Sequence, residues 1–168
     1  MGDAPADFLE FAHARSDQLY RTACLLTGDR HLAEDLVQET LAKMFRSWRR
    51  IDRTQPPVAY AHTVLVRTFT SYRRRRSARE RPVDRFPDRV SVDAGDPELR
   101  LTLLDGLARL APKDRAVLVL RYWEDRPVEE TAQMLRLSAG AVRTRSLRAL
   151  QKLRDVLGDE LLADLVQA

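Results

Sequence analysis

The chain has a single cysteine in 168 residues, so it can form no internal disulfide. Cys24 lies in an apolar run with Ala23, Leu25 and Leu26 and reads as a small buried hydrophobe rather than a reactive thiol. Histidine is almost as scarce: His13, His31 and His62 are scattered, and no Cys/His spacing suits a metal. Six glycines include no phosphate-cradling loop. The expectation is therefore no catalytic residue, no metal ligand and no cofactor, which sets the enzyme reading aside. No run approaches the ~18 uninterrupted apolar residues of a membrane span, and no N-terminal stretch resembles a signal peptide. A cytoplasmic protein without membrane insertion is expected. Strand-like alternation is nearly absent too, and helical periodicity is what remains.

Hydrophobic residues make up 44% of the chain, enough for real cores, and charged residues 32%, which argues for a soluble protein. The net charge of +4 is too small to imply nucleic acid by itself. Its distribution says more. From Lys43 to Arg85 there are thirteen Lys and Arg against three acids, Asp52, Glu80 and Asp84. Clustered positive charge is the footprint of a polyanionic partner.

A first helix is expected from about Asp7 to Leu26, with Gly28 as its stop and Asp29 as the cap of the next. The second carries Leu32, Leu36, Val37, Leu41, Met44, Phe45 and Trp48. Pro56 and Pro57 break the chain. A third helix with Tyr60, Val64, Leu65 and Phe69 runs into Arg73–Arg76. From Ser77 to Gly95 the pattern dissolves into Pro, mixed charge and few apolar groups, which reads as a linker. Phe86, Val90 and Val92 could still dock. Helical order resumes at Asp96-Pro97-Glu98, a cap followed by a proline suited to the first turn. The fold class expected is all-α: a helical domain over 1–76, a flexible linker over 77–95, and a second helical domain over 96–168 ending in a helix-turn-helix.

That ending is the sharpest local signal. Pro127–Leu135 reads as a short helix, Arg136–Ser138 as a tight turn, and Ser138 as the cap of a long last helix. Such a second helix can enter the major groove. Val142, Ala149, Leu150, Leu153 and Leu157 keep one face on the core, while Arg143, Thr144, Arg145 and Arg148 lie largely on others. Ala139, Gly140 and Ala141 let its start approach a DNA backbone. A second constellation interleaves Tyr60, His62, Thr63, Arg67, Thr70, Ser71 and Tyr72 with the arginines from Arg73. Aromatics that stack on unpaired bases beside phosphate-tracking arginines suit an opened strand. Composition alone leaves this open, since Tyr60 and Phe69 also suit a core and an arginine run is usually solvated. A third, Glu34-Asp35-Leu36-Val37-Gln38-Glu39, is an acidic helix start that on its own needs no partner.

Together these residues resemble a known family. The run Asp29–Met44, with Ala-Glu-Asp-Leu-Val-Gln-Glu at its centre, looks like the second conserved region of bacterial sigma factors. Pro57–Arg76 resembles the promoter-melting segment of that region. Leu107–Tyr122 with the following helix-turn-helix resembles the fourth region. The group that keeps only these two regions is the extracytoplasmic-function (ECF) sigma factors. The resemblance implies a factor that binds core RNA polymerase and directs promoter-specific initiation through minus-thirty-five and minus-ten elements. It places Asp35, Leu36, Gln38 and Glu39 on the clamp helices of the polymerase largest subunit. It places Tyr60, His62, Thr63, Arg67, Ser71, Tyr72, Arg73 and Arg74 on the minus-ten element. It places Ser138, Gly140, Arg143, Thr144, Arg145 and Arg148 on the minus-thirty-five element. The implied partners are the polymerase clamp and flap, promoter DNA and, in some relatives, an anti-sigma factor. Many relatives carry Asn where this chain has Arg67. The rival reading is a stand-alone helix-turn-helix regulator, which would have no use for the acidic run or the melting segment.

Overall fold

The structure, a computed structural model, describes residues 5–51, 54–77, 97–160 and 162–163. Helix α1 (Ala6–Thr27) stops at Gly28, whose φ of 66° is the left-handed conformation that suits glycine. The Gly28 N–H closes the helix on the Cys24 carbonyl at 2.8 Å. Asp29 then caps α2 (Arg30–Ser47), its Oδ1 accepting from the Leu32 N–H at 3.0 Å. A 3₁₀ turn, Trp48–Arg50, ends α2 and buries Trp48 edge-on to Phe8, with ring centroids 5.2 Å apart. Helix α3 (Pro57–Ser77) packs across both. Leu19, Leu26, Met44, Leu65 and Phe69 fill the core of this three-helix bundle.

The remaining elements are α4 (Pro97–Ala108), α5 (Pro112–Leu118), α6 (Val128–Leu135) and α7 (Ala139–Leu157). Helix α7 is the hub, with α4, α5 and α6 all packed on it. A Cβ on Gly106 would come within 2.9 Å of Leu153 Cδ2, so α4 and α7 cross closely there. Pro112 occupies the first turn of α5, where its missing N–H costs nothing. The end of α5 widens into a π turn, Val119–Trp123, in which the Glu124 N–H reaches back to the Val119 carbonyl at 3.0 Å. Helix α6 ends on Arg136 at φ 55°, and the turn delivers Ser138 to the start of α7. Ser138 Oγ accepts from the Ala141 N–H at 3.0 Å.

The sequence suggests two modules on a tether. The described residues of the two pack on one another, with α3 against α5 and α6, and α1 against α4 and α5. Polar contacts that no periodicity reveals join them. Arg115, only 2% exposed, reaches across to donate from Nε to the Leu25 carbonyl at 2.6 Å. Glu124 accepts from the Thr22 hydroxyl and lies 3.2 Å from His62 Nε2. Residues 78–96 lie outside the described residues, and with them nearly all of the linker, Phe86, Val90, Val92 and the expected cap Asp96.

Candidate polymerase and promoter interfaces

Along α2, the side chains of Asp35, Gln38 and Glu39 are exposed, while Leu36 faces the core at 6% exposure. Glu39 pairs with Lys43 at 3.0 Å, and Lys43 donates in turn to Thr68 Oγ1 at 3.0 Å. Between α2 and α3 lies a hollow of about 60 Å³ with Leu36 and Phe69 in its walls and Asp35, Glu39 and Tyr72 around it. Carboxylates beside an apolar hollow can hold the stem and head of a basic side chain together. Leu36 therefore belongs to the floor of this surface rather than to its exposed rim.

The outer face of α3 carries Tyr60, Thr63, Arg67 and Ser71, whose spacing sets them along one stripe. Tyr60, Thr63 and Arg67 border a cleft of about 540 Å³ closed on its far side by Glu130, Gln133 and Met134 of α6. Arg67 spans the cleft, donating from Nε to the Met134 carbonyl at 2.8 Å and from Nη2 to the Gln133 carbonyl at 3.0 Å. These are carbonyls of the last turn of α6, the end of a helix that favours cations. Tyr72 is turned away from this stripe, toward the hollow beside Asp35 and Glu39.

His62 lies off this stripe in the packed form. Its side chain is fully buried, because on α3 it shares a face with Leu65, Val66 and Phe69. Its Nδ1 lies 3.0 Å from the Val58 carbonyl. Burial holds its pKa below the ordinary histidine value, and the Glu124 carboxylate opposes that shift. The side chains of Arg73 and Arg74 lie outside the described ones; their backbone continues α3.

On α7, Ser138, Gly140, Arg143, Thr144 and Arg148 are exposed, and Val142, Ser146, Ala149 and Leu153 face inward. Arg143 makes a loose surface pair with Glu129 at 3.4 Å. Arg145 behaves differently. Its side chain is only 29% exposed and its Nη1 lies 2.6 Å from Oδ1 of the buried Asp114, so it braces α7 against α5 rather than standing free. Two residues that the sequence reading passed over stand out: Asp114, which holds Arg145, and Leu147, an exposed leucine among the arginines. Among the described residues no group of His, Cys, Asp and Glu could hold a metal ion, and no helix is long and apolar enough to cross a membrane.

Comparison with known proteins accounts for both halves. Residues 11–79 match the family described as sigma-70 region 2, and residues 106–155 match sigma-70, region 4. The chain is 39% identical over 152 residues to the RNA polymerase sigma-E factor of Streptomyces coelicolor, covering 90% of this chain and 86% of that one. It is 34% identical over 158 residues to the ECF RNA polymerase sigma factor SigE of Mycolicibacterium smegmatis, covering 88% of this chain and 60% of that one. The chain belongs to the ECF sigma factors. As a sigma factor it is a promoter-recognising protein of transcription initiation. Its fold matches that of the sigma factor RpoE from Bartonella quintana, solved in complex with the anti-sigma factor NepR. That match has a TM-score of 0.70 and 22% identity, over 91% of this chain and 98% of that one. CnrH, solved in complex with the cytosolic domain of CnrY, matches with a TM-score of 0.65 and 23% identity, over 89% and 86%.

Proposed function

We propose that this sigma factor divides its work among three surfaces. The Asp35–Gln38–Glu39 face of α2, with the adjoining hollow, docks on a basic and partly apolar surface of core polymerase. The Tyr60–Thr63–Arg67–Ser71 stripe, together with Arg73 and Arg74 near the end of α3, takes the minus-ten element. The outward face of α7 takes the minus-thirty-five element in the major groove. The observation that carries this reading is the position of α7. A serine-capped second helix of a helix-turn-helix keeps its apolar side on α4–α6 and turns Arg143, Thr144 and Arg148 outward. The role is non-catalytic and cytoplasmic, with core RNA polymerase and promoter DNA as partners. An anti-sigma factor is a third, of the class found on RpoE in its solved complex.

The packed arrangement is a resting form in this reading. Two elements one or more duplex turns apart, ~35 Å per turn, require the α1–α3 and α4–α7 units to separate. Arg67 must release the Met134 carbonyl before it can meet DNA. Run-off transcription with core polymerase on a randomised promoter library, with start-site mapping, tests the whole reading. Selection of a two-element promoter is the expected result. A protein that binds DNA but never joins polymerase would return it to the stand-alone regulator.

A further inference from the structure

Leu147 is 72% exposed, whereas no other large apolar side chain among the described residues exceeds 45%. A single exposed leucine needs no explanation by itself. Its setting does. Gly140, Arg143, Thr144, Leu147, Arg148 and Gln151 are all exposed and recur at steps of three and one, so they form one outward stripe of α7. The inward stripe, Val142, Ser146, Ala149 and Leu153, is 0–8% exposed and already complete. Leu147 therefore adds nothing to the core and stands mid-way along the face that carries the cations.

We propose that Leu147 reads the 5-methyl group of a thymine in the upstream promoter element. The inference rests on α7 being the recognition helix. Among the base edges in the major groove, the thymine methyl is the apolar feature, and it is met by apolar side chains. A leucine between two arginines cannot satisfy guanine O6 or cytosine N4. Placed over either, it would strip water from a polar edge without returning a hydrogen bond. Over a thymine methyl it removes apolar surface from water on both sides. The reading also fixes where that thymine lies. Arg143 precedes Leu147 by four residues, a rise of about 6 Å along the helix, which is about two base-pair steps of 3.4 Å. The thymine then sits within about two base pairs of the position met by Arg143, on whichever strand presents its methyl to the helix. Because Leu147 stands outside the packed core, it can act on specificity with little effect on folding.

The test uses holoenzyme assembled from the full chain and core polymerase. The probe is a duplex selected by that holoenzyme from a library randomised over the upstream element. Each thymine of the selected element is replaced singly by deoxyuridine, which removes the methyl and nothing else. One replacement should weaken wild-type binding about fourfold, the worth of one buried methyl. Leu147→Ala should lose about the same on the thymine duplex and be indifferent to deoxyuridine at that position, with an unchanged thermal melt. The proposal is overturned if the selected element holds no thymine near the Arg143 position, or if no deoxyuridine affects the wild type. It is equally overturned if Leu147→Ala keeps the deoxyuridine penalty, or loses transcription with DNA binding intact, since the leucine would then meet polymerase. Arg143→Ala and Arg148→Ala separate the two levels. If both bind the selected duplex like wild type, the recognition-helix reading itself fails. If they bind poorly while deoxyuridine is silent, only the role of Leu147 does.

Discussion

Arg67 Nε donates to the main-chain carbonyl of Met134 at 2.8 Å, so a side chain of the α3 stripe holds the end of α6. The same guanidinium caps Gln133, which leaves it committed to protein while the two halves are packed. Hydrogen bonds to charged groups contribute about 1.5–3 kcal/mol, and partial exposure places this pair near the lower figure. Arg67→Asn should open the resting form: the distance between dyes on α2 and α7, followed by energy transfer, should broaden and lengthen. An unchanged distance distribution would mean that Arg115 and Glu124 hold the halves together unaided.

Arg145 and Arg148 should respond differently to alanine. Removing Arg145 leaves the Asp114 carboxylate, with only 5% of its side chain exposed, without its 2.6 Å partner. Breaking a buried pair costs about 3–5 kcal/mol, and the partial exposure of Arg145 reduces this to about 2–3. Arg148 is exposed and should cost under ~0.5 kcal/mol. Urea melts should therefore separate the variants, while both lose promoter binding. Equal melts would show that the Asp114 contact contributes no stability.

Asp35→Arg should abolish assembly with core polymerase and leave helicity intact. The residue is exposed, so the fold does not depend on it. Gel filtration of the variant with core polymerase reads the outcome directly. Co-elution at wild-type stoichiometry would remove the α2 face from the docking surface.

Acid should weaken the packed form through His62. Burial depresses its folded pKa below the ordinary value of about 6.5, with Glu124 opposing and Arg126 and Arg15 adding to the depression. The folded form thus binds this proton less readily than the unfolded chain. The stability it contributes is complete above about pH 6.5 and is lost as pH falls toward the depressed value. His62→Gln should flatten the dependence of the melting temperature between pH 7.5 and 5.5. A wild-type melt that rises on acidification would show that Glu124 dominates instead.

Much of this arrangement was legible in the chain, because capping and period are local. Gly28, Asp29 and Ser138 mark helix ends through their own chemistry, and the inward stripe of α7 follows from spacing alone. His62 falls in step with Leu65, Val66 and Phe69, so its burial in the packed form follows from its phase on α3. Leu147 carries no polar group to mark it, and its exposure follows from the inward stripe on the other side of α7. The contacts of Arg67, Arg115 and Glu124 had no local signal. Each joins residues far apart in sequence, and their meeting depends on how whole helices cross.

The wide turn at Val119–Trp123 carries a consequence for this crossing. A π turn holds one residue more than the α-helical turn it replaces, and each residue advances a helix by about 100°. The extra residue is a phase shift written into the chain. It aims Glu124 at Thr22 and His62 and sets the heading from which α6 and α7 depart. Deleting one residue there would return α5 to an ordinary screw while keeping the remaining side chains. Everything downstream would then leave in a direction rotated by about a quarter turn. The packing of the two halves is in this sense a matter of counting, and a length change of one residue at that turn would disturb it more than most substitutions within the interface.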